Sequence, residues 1–153
     1  MDSVRLTEDL NGYFIEDISV GMTAVFAKTI TEADIVLFSG VTGDMNPVHV
    51  NQDFAQDTMF KGRIAHGMLT SSLISTVLGM KLPGPGCIYM KQDLRFLAPV
   101  RAGDTVQARV TVTEIIPKKR RIVCKTTASV GEVMVVDGEA LMMVRSREEI
   151  HDA

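Results

Sequence analysis

Aromatic rings, cysteines and histidines are all scarce in this sequence, and each shortage closes a class of function. Of 153 residues none is Trp, two are Tyr and six are Phe, few ring faces for a surface that stacks nucleic-acid bases. The two cysteines, Cys87 and Cys124, lie far apart with no CxxC and no Cys/His ligand cluster. Neither a disulfide framework nor a zinc site is indicated, and both read as buried hydrophobes in a reducing compartment. Positive charge is not in excess, since 16 Lys and Arg face 19 Asp and Glu for a net charge of −3, which argues against a nucleic-acid surface spanning the domain. No stretch approaches the roughly 18 apolar residues of a membrane span, and Met1-Asp2-Ser3-Val4-Arg5 lacks the apolar run of a signal peptide. The expectation is a cytoplasmic protein with no nucleic-acid and no membrane partner.

What is present describes one domain. Apolar residues make up 46% and charged residues 23%, ordinary globular usage in a chain too short for two cores. Residues 1–17 show no clear periodicity and form either an ordered arm or a frayed tail; the core starts near Ile18. Thr23 to Thr29 reads as a strand, and Thr31 before Glu32 and Asp34 is an N-cap with acidic first-turn residues, starting a helix that ends between Ser39 and Thr42. Ile64 to Met80 has helical apolar spacing with small residues elsewhere and no charge between Arg63 and Lys81. Such a helix, ~25 Å long, is expected to be buried on most of its circumference. Pro83-Gly84-Pro85-Gly86 ends it.

Beyond that point the period changes to two. Ile88, Met90, Leu94 and Phe96 share one side of a strand; three further sets follow, led by Val106, Ile122 and Met134, with turns at Pro117-Lys118-Lys119-Arg120 and Gly131. The fold class is therefore α+β, a long central helix wrapped by a curled antiparallel sheet.

Of three histidines, His151 lies in the terminal tail and is expected to be solvated. Asp44-Met45-Asn46-Pro47-Val48-His49 sets a carboxylate and an imidazole five positions apart. An extended chain would separate them by ~17 Å and a helix would rotate them ~140° apart, so only a turn lets them face one point, and Asn46-Pro47 supplies a turn signal. Such a pair can hold a water and move its protons. Asp44 capping an Asx turn, with His49 on a polar surface, is the competing reading at this spacing. His66-Gly67 opens the uncharged helix, where free N–H groups and the helix dipole suit a developing oxyanion, or where Gly67 simply permits close packing. Ser75 is either a hydroxyl bonded back to the preceding turn or a pocket residue.

Phe38-Ser39-Gly40, the Asp44–His49 run, Phe60-Lys61-Gly62-Arg63-Ile64-Ala65-His66-Gly67-Met68-Leu69, Leu82-Pro83-Gly84-Pro85-Gly86-Cys87-Ile88-Tyr89, Gln92-Asp93-Leu94-Arg95-Phe96, Pro99-Val100 and Gly103-Asp104 together resemble the MaoC-like, (R)-specific enoyl-CoA hydratase family over residues 18–145. The resemblance implies a hot-dog domain over 18–147, with an arm at 1–17 and a tail at 148–153. It also implies a homodimer and reversible syn hydration of a trans-2-enoyl-CoA to the (R)-3-hydroxyacyl-CoA, without metal or organic cofactor. Asp44 and His49 then hold and activate the water, the Gly67 N–H polarises the thioester carbonyl, and Asn46, His66 and Ser75 fall on the substrate side of the site. Asn46 shapes the loop, and Ser75 matches a pocket position.

Three rivals share parts of this pattern: a 3-hydroxyacyl-ACP dehydratase, an acyl-CoA thioesterase of the same architecture, and a silent acyl-CoA-binding module. The silent module has no need of the Asp44/His49 pair. Lys118-Lys119-Arg120-Arg121 reads as a solvated turn or a contact for CoA phosphates; Lys61 and Arg63 lie near the same loop. Met59, Met68, Met80 and Met90 are packing residues or the lining of an acyl tunnel.

Overall fold

A computed structural model describes residues 10–148; His151 and nearly all of the expected tail lie outside them. Strand β1, Thr23–Thr29, leads into helix α1, Glu32–Thr42. The Thr31 hydroxyl accepts from the Asp34 N–H and the Asp34 carboxylate accepts from the Thr31 N–H, a reciprocal cap that satisfies two donors the helix cannot. Gly43, at φ 77°, stops the helix in the left-handed conformation that a side chain would resist. Two short helices follow, α2 Pro47–Val50 and α3 Gln52–Gln56, capped by Asn46 and Asn51. Helix α4, Gly67–Met80, precedes β2 Ile88–Phe96, β3 Thr105–Ile116, β4 Arg121–Val130 and β5 Val133–Met143.

The described strands form one antiparallel sheet in the order β1-β3-β4-β5-β2. Val106, Ala108, Val110 and Val112 of β3, and Ile122, Cys124, Thr126 and Ala128 of β4, are buried together as their alternation predicts. Against them α4 turns Leu73, Ile74, Val77 and Leu78, the last three fully buried and each contributing roughly 1.5–3 kcal/mol. The turn residues also behave as expected: Pro117–Lys119 forms a 3-10 turn with Lys118 and Lys119 exposed, and Gly131 turns β4 into β5 at φ 55°.

Four expectations are corrected. Helix α4 begins at Gly67 rather than Ile64, because the Ile64 and Ala65 N–H groups donate to Val48 and Val100; the helix is therefore ~21 Å long. It is buried on one face only, with Met68, Ser72, Ser75 and Met80 exposed. In β2 the apolar set is not core: Ile88, Met90 and Phe96 are exposed, since β2 is an edge strand whose register shifts between Tyr89 and Lys91. A second shift, after Ala128, turns Met134 outward and buries both Val135 and Val136.

Residues 10–17 pack on the domain. Ile15 joins the core, and the Gly12 and Tyr13 N–H groups donate to Pro85 and Pro83, each at 2.8 Å. A Cβ on Gly12 would collide with the Pro83 carbonyl. No helix of the described residues is long and apolar enough to cross a membrane.

Candidate active site

The segment between α1 and α4 folds by capping rather than by periodicity. Asp44 accepts the Asn46 N–H at 3.2 Å, and Asn46 accepts the Val48 N–H at 3.2 Å, so Asn46 starts α2 and Pro47 occupies the position where a missing N–H costs nothing. His49 thus stands on a single helical turn, not on the loop itself. Its Nδ1 lies 2.9 Å from the Ile64 carbonyl oxygen. A carbonyl only accepts, so Nδ1 carries a proton, and in the neutral ring Nε2 keeps its lone pair.

His66 lies directly behind. Its ring stacks on that of His49 with centroids 3.8 Å apart, and Phe38 closes the other side at 4.9 Å. A carboxylate oxygen of Asp44 and one ring nitrogen each of His49 and His66 all fall within 4.8 Å of one another. His66 Nε2 lies 3.0 Å from the Asp44 carbonyl oxygen and 3.3 Å from Ser39 Oγ. The three side chains are types that can ligate a metal, but His49 Nδ1 and His66 Nε2 already face backbone carbonyls. That leaves the Asp44 carboxylate, His49 Nε2 and the buried His66 Nδ1 without a backbone carbonyl, and the first two form a pair suited to water.

Asp44, His49, His66 and Gly67 border one cavity of about 420 Å³ whose other walls are mainly apolar, Phe60, Phe96, Val100 and Val136 among them. Gly67 opens α4, where the first N–H groups have no partner within the helix. A Cβ on Gly67 would stand 2.7 Å from the Phe96 ring, so a side chain here would have to displace that ring. Arg101 braces the approach, donating to the Phe60 and Arg63 carbonyls while its own N–H is held by Asp104.

Of the residues singled out in the sequence, the structure gathers Asp44, His49, His66 and Gly67, with Asn46 shaping their turn. Ser75 is not among them: it opens on a separate groove with Ser71, Ser72, Tyr89 and Met90. Met59 and Met68 border the cavity, and Arg63 pairs with Glu32 at 2.6 Å. Burial raises both thiols above their usual range, Cys124 to about 12, with their mutual charge a lesser cause in Cys124; neither is placed to act as a nucleophile. The Ile64 carbonyl carries no signal in the sequence, and Ser39 and Phe96 stand in motifs without a role.

A profile of the MaoC like domain matches residues 18–134. The chain belongs to the MaoC-like family. It is similar to an (R)-specific enoyl-CoA hydratase of Rhodospirillum rubrum, 54% identical over 140 residues that cover 92% of this chain and 97% of that one. A 3-hydroxybutyryl-CoA dehydratase of Methylorubrum extorquens is 49% identical, over 92% of this chain and 90% of its own. Among solved structures, the unliganded R-hydratase PhaJ1 of Pseudomonas aeruginosa superposes with a TM-score of 0.84 at 41% identity, covering 90% of this chain and 89% of that one. The MaoC-like chain has the hot-dog fold: one curled antiparallel sheet and a long helix packed on it.

Proposed function

We propose that this protein is an (R)-specific enoyl-CoA hydratase, a hydro-lyase that reversibly adds water across the 2,3-double bond of a trans-2-enoyl-CoA. The observation that carries the reading is the placement of His49: its Nδ1 faces the Ile64 carbonyl at 2.9 Å, which leaves Nε2 to act as the base, and with Asp44 it borders an apolar cavity that also holds the start of α4.

A water between Asp44 and His49 gives up a proton to Nε2 as its oxygen attacks C3. The electron pair of the double bond moves toward the thioester oxygen, where the Gly67 N–H and the positive end of α4 accept the developing charge. The Asp44/His49 pair then returns a proton to C2. Because one pair handles both, OH and H add to the same face. The relatives named as hydratases support the reading, and the one named a dehydratase acts on the same equilibrium from the other side.

Purified protein with crotonyl-CoA is expected to lose enoyl-thioester absorbance and to yield the (R)-3-hydroxy product, with Asp44→Asn inactive. The (S) product, or an undiminished rate in that variant, would overturn the assignment.

The functional unit is proposed to be a homodimer in the cytoplasm. Met68 of α4 and Tyr89 and Met90 of the β2 edge line one groove, and Met80 and Ile88 on the same two elements are also exposed, apolar side chains of the kind that oligomers cover. Sedimentation should return twice the chain mass; the mass of one chain would refute the dimer.

A further inference from the structure

We propose that His66 is a positioning residue that holds Asp44, His49 and the start of α4 in one frame, a role that rests on the hydratase reading. Its ring is 2% exposed, and its Nε2 faces the Asp44 carbonyl at 3.0 Å. The proton is therefore on Nε2, and an uncharged ring leaves Nδ1 bare. Nδ1 is buried without a hydrogen-bond partner among the described residues. Burying a polar atom without a partner is costly, so a ring needed for packing alone would be better supplied by Phe. The imidazole stays because its donor and its face are both used.

The donor fixes the backbone of Asp44, the residue whose carboxylate holds the water in the hydratase reading. The face fixes His49. The bond from His49 Nδ1 to Ile64 sets the ring's orientation through one contact; the His66 ring, stacked at 3.8 Å and 30°, packs on its face and limits the rocking that would displace Nε2. His66 also immediately precedes Gly67, so the N–H proposed for the thioester oxygen is tied to the same residue. Ser39, 3.3 Å from Nε2, and Phe38 hold the ring from α1. Misplacing reacting groups by ~1 Å costs on the order of 100-fold in rate, which gives this scaffold a kinetic consequence without contact between His66 and the reacting atoms.

The test is steady-state hydration of crotonyl-CoA by the parent, His66→Phe, His66→Gln and Asp44→Asn, with melting temperatures measured alongside. Phe keeps a ring and removes the donor; Gln restores a donor near Nε2 and removes the ring. For Phe, which loses the donor, kcat is expected to fall roughly 30- to 100-fold with KM within about threefold, and for Gln, which loses the stacking face, kcat should fall as well. A Phe variant within threefold of the parent, a Gln variant with parent-like kcat, or KM rising in step with the loss would overturn the proposal. If the Phe variant does not fold, His66→Gln decides: a kcat loss at unchanged KM supports it, and parent-like kcat overturns it. A parent inert on crotonyl-CoA overturns the hydratase reading and this role with it. An active parent, an inactive Asp44→Asn and a parent-like His66→Phe overturn only the role of His66.

Discussion

Ile122 in the middle of the sheet is 0% exposed and His49, between α1 and α4, is 8% exposed, yet the two regions bury their side chains by opposite means. In β3 and β4 every second residue faces the core, and burial itself defines the fold, so any hydrophobe of the right volume serves. Around His49 the buried groups are polar, and each is held by an atom distant in sequence: Ile64 O for His49, Asp44 O and Ser39 Oγ for His66. The sheet supplies stability that tolerates substitution; the 39–67 segment supplies geometry that does not. Activity and stability should therefore separate when one region is altered at a time.

The largest separation is expected from Asp44→Asn. The change is isosteric and the Asn46 N–H can still find an oxygen there, so the melting temperature should stay within about 2 °C while kcat/KM falls roughly 10²–10⁴-fold. Comparable losses of stability and rate would show that the turn, not the carboxylate, had been damaged. The reverse experiment is Ile122→Ala, which removes fully buried volume from β4 and should lower unfolding free energy by about 2–5 kcal/mol, with kcat per folded molecule unchanged. Gly67→Ala lies between the two regions. Its Cβ meets the Phe96 ring, which is half exposed and can shift. Stability should drop by about 1–3 kcal/mol, and kcat should fall because ring and Cβ crowd the first amides of α4. Adding Phe96→Ala should return most of the stability; a double variant no more stable than Gly67→Ala alone would place the strain elsewhere.

The same contrast decides what was legible in the sequence. The alternation in Val106–Val112 and Ile122–Ala128 was visible because each strand obeys one local rule. The Thr31 cap was visible for the same reason. The rule fails where a bulge changes the count, so alternation assigns Met90 and Met134 to a core they do not enter. It fails again where a face depends on position in the sheet, since no period marks β2 as an edge. In the site, only a turn unites residues five apart and Asn46-Pro47 marks one, which lets Asp44 and His49 be paired from the sequence; spacing leaves the Asx-turn reading open, and the resemblance selects between the two. The partner that orients His49 is a backbone carbonyl, which has no residue type to recognise. Ser75 was grouped with the site by resemblance, and within one chain it faces a different groove.

The smallest effect tests whether α1, which carries Phe38 and Ser39 to His66, owes its start to charge or to shape. Lys28 beside Asp34, at 2.5 Å, and the Thr31 N–H hold the Asp34 carboxyl at about 2, below its usual 3.8. Because the folded value is the lower one, the ionised group stabilises the fold in full above pH ~4, and the contribution is lost as pH falls toward 2. In Asp34→Asn, stability by urea denaturation should be lower by roughly 0.5–1 kcal/mol at pH 6. The gap should close between pH 4 and pH 2, with hydration at pH 7 unaffected. Glu16, Asp17 and Asp137, also held low by their partners, are common to both proteins and cancel in the difference. A gap that persisted at pH 2 would assign the loss to the shape of the cap, and α1 would then belong with the geometric half of the molecule.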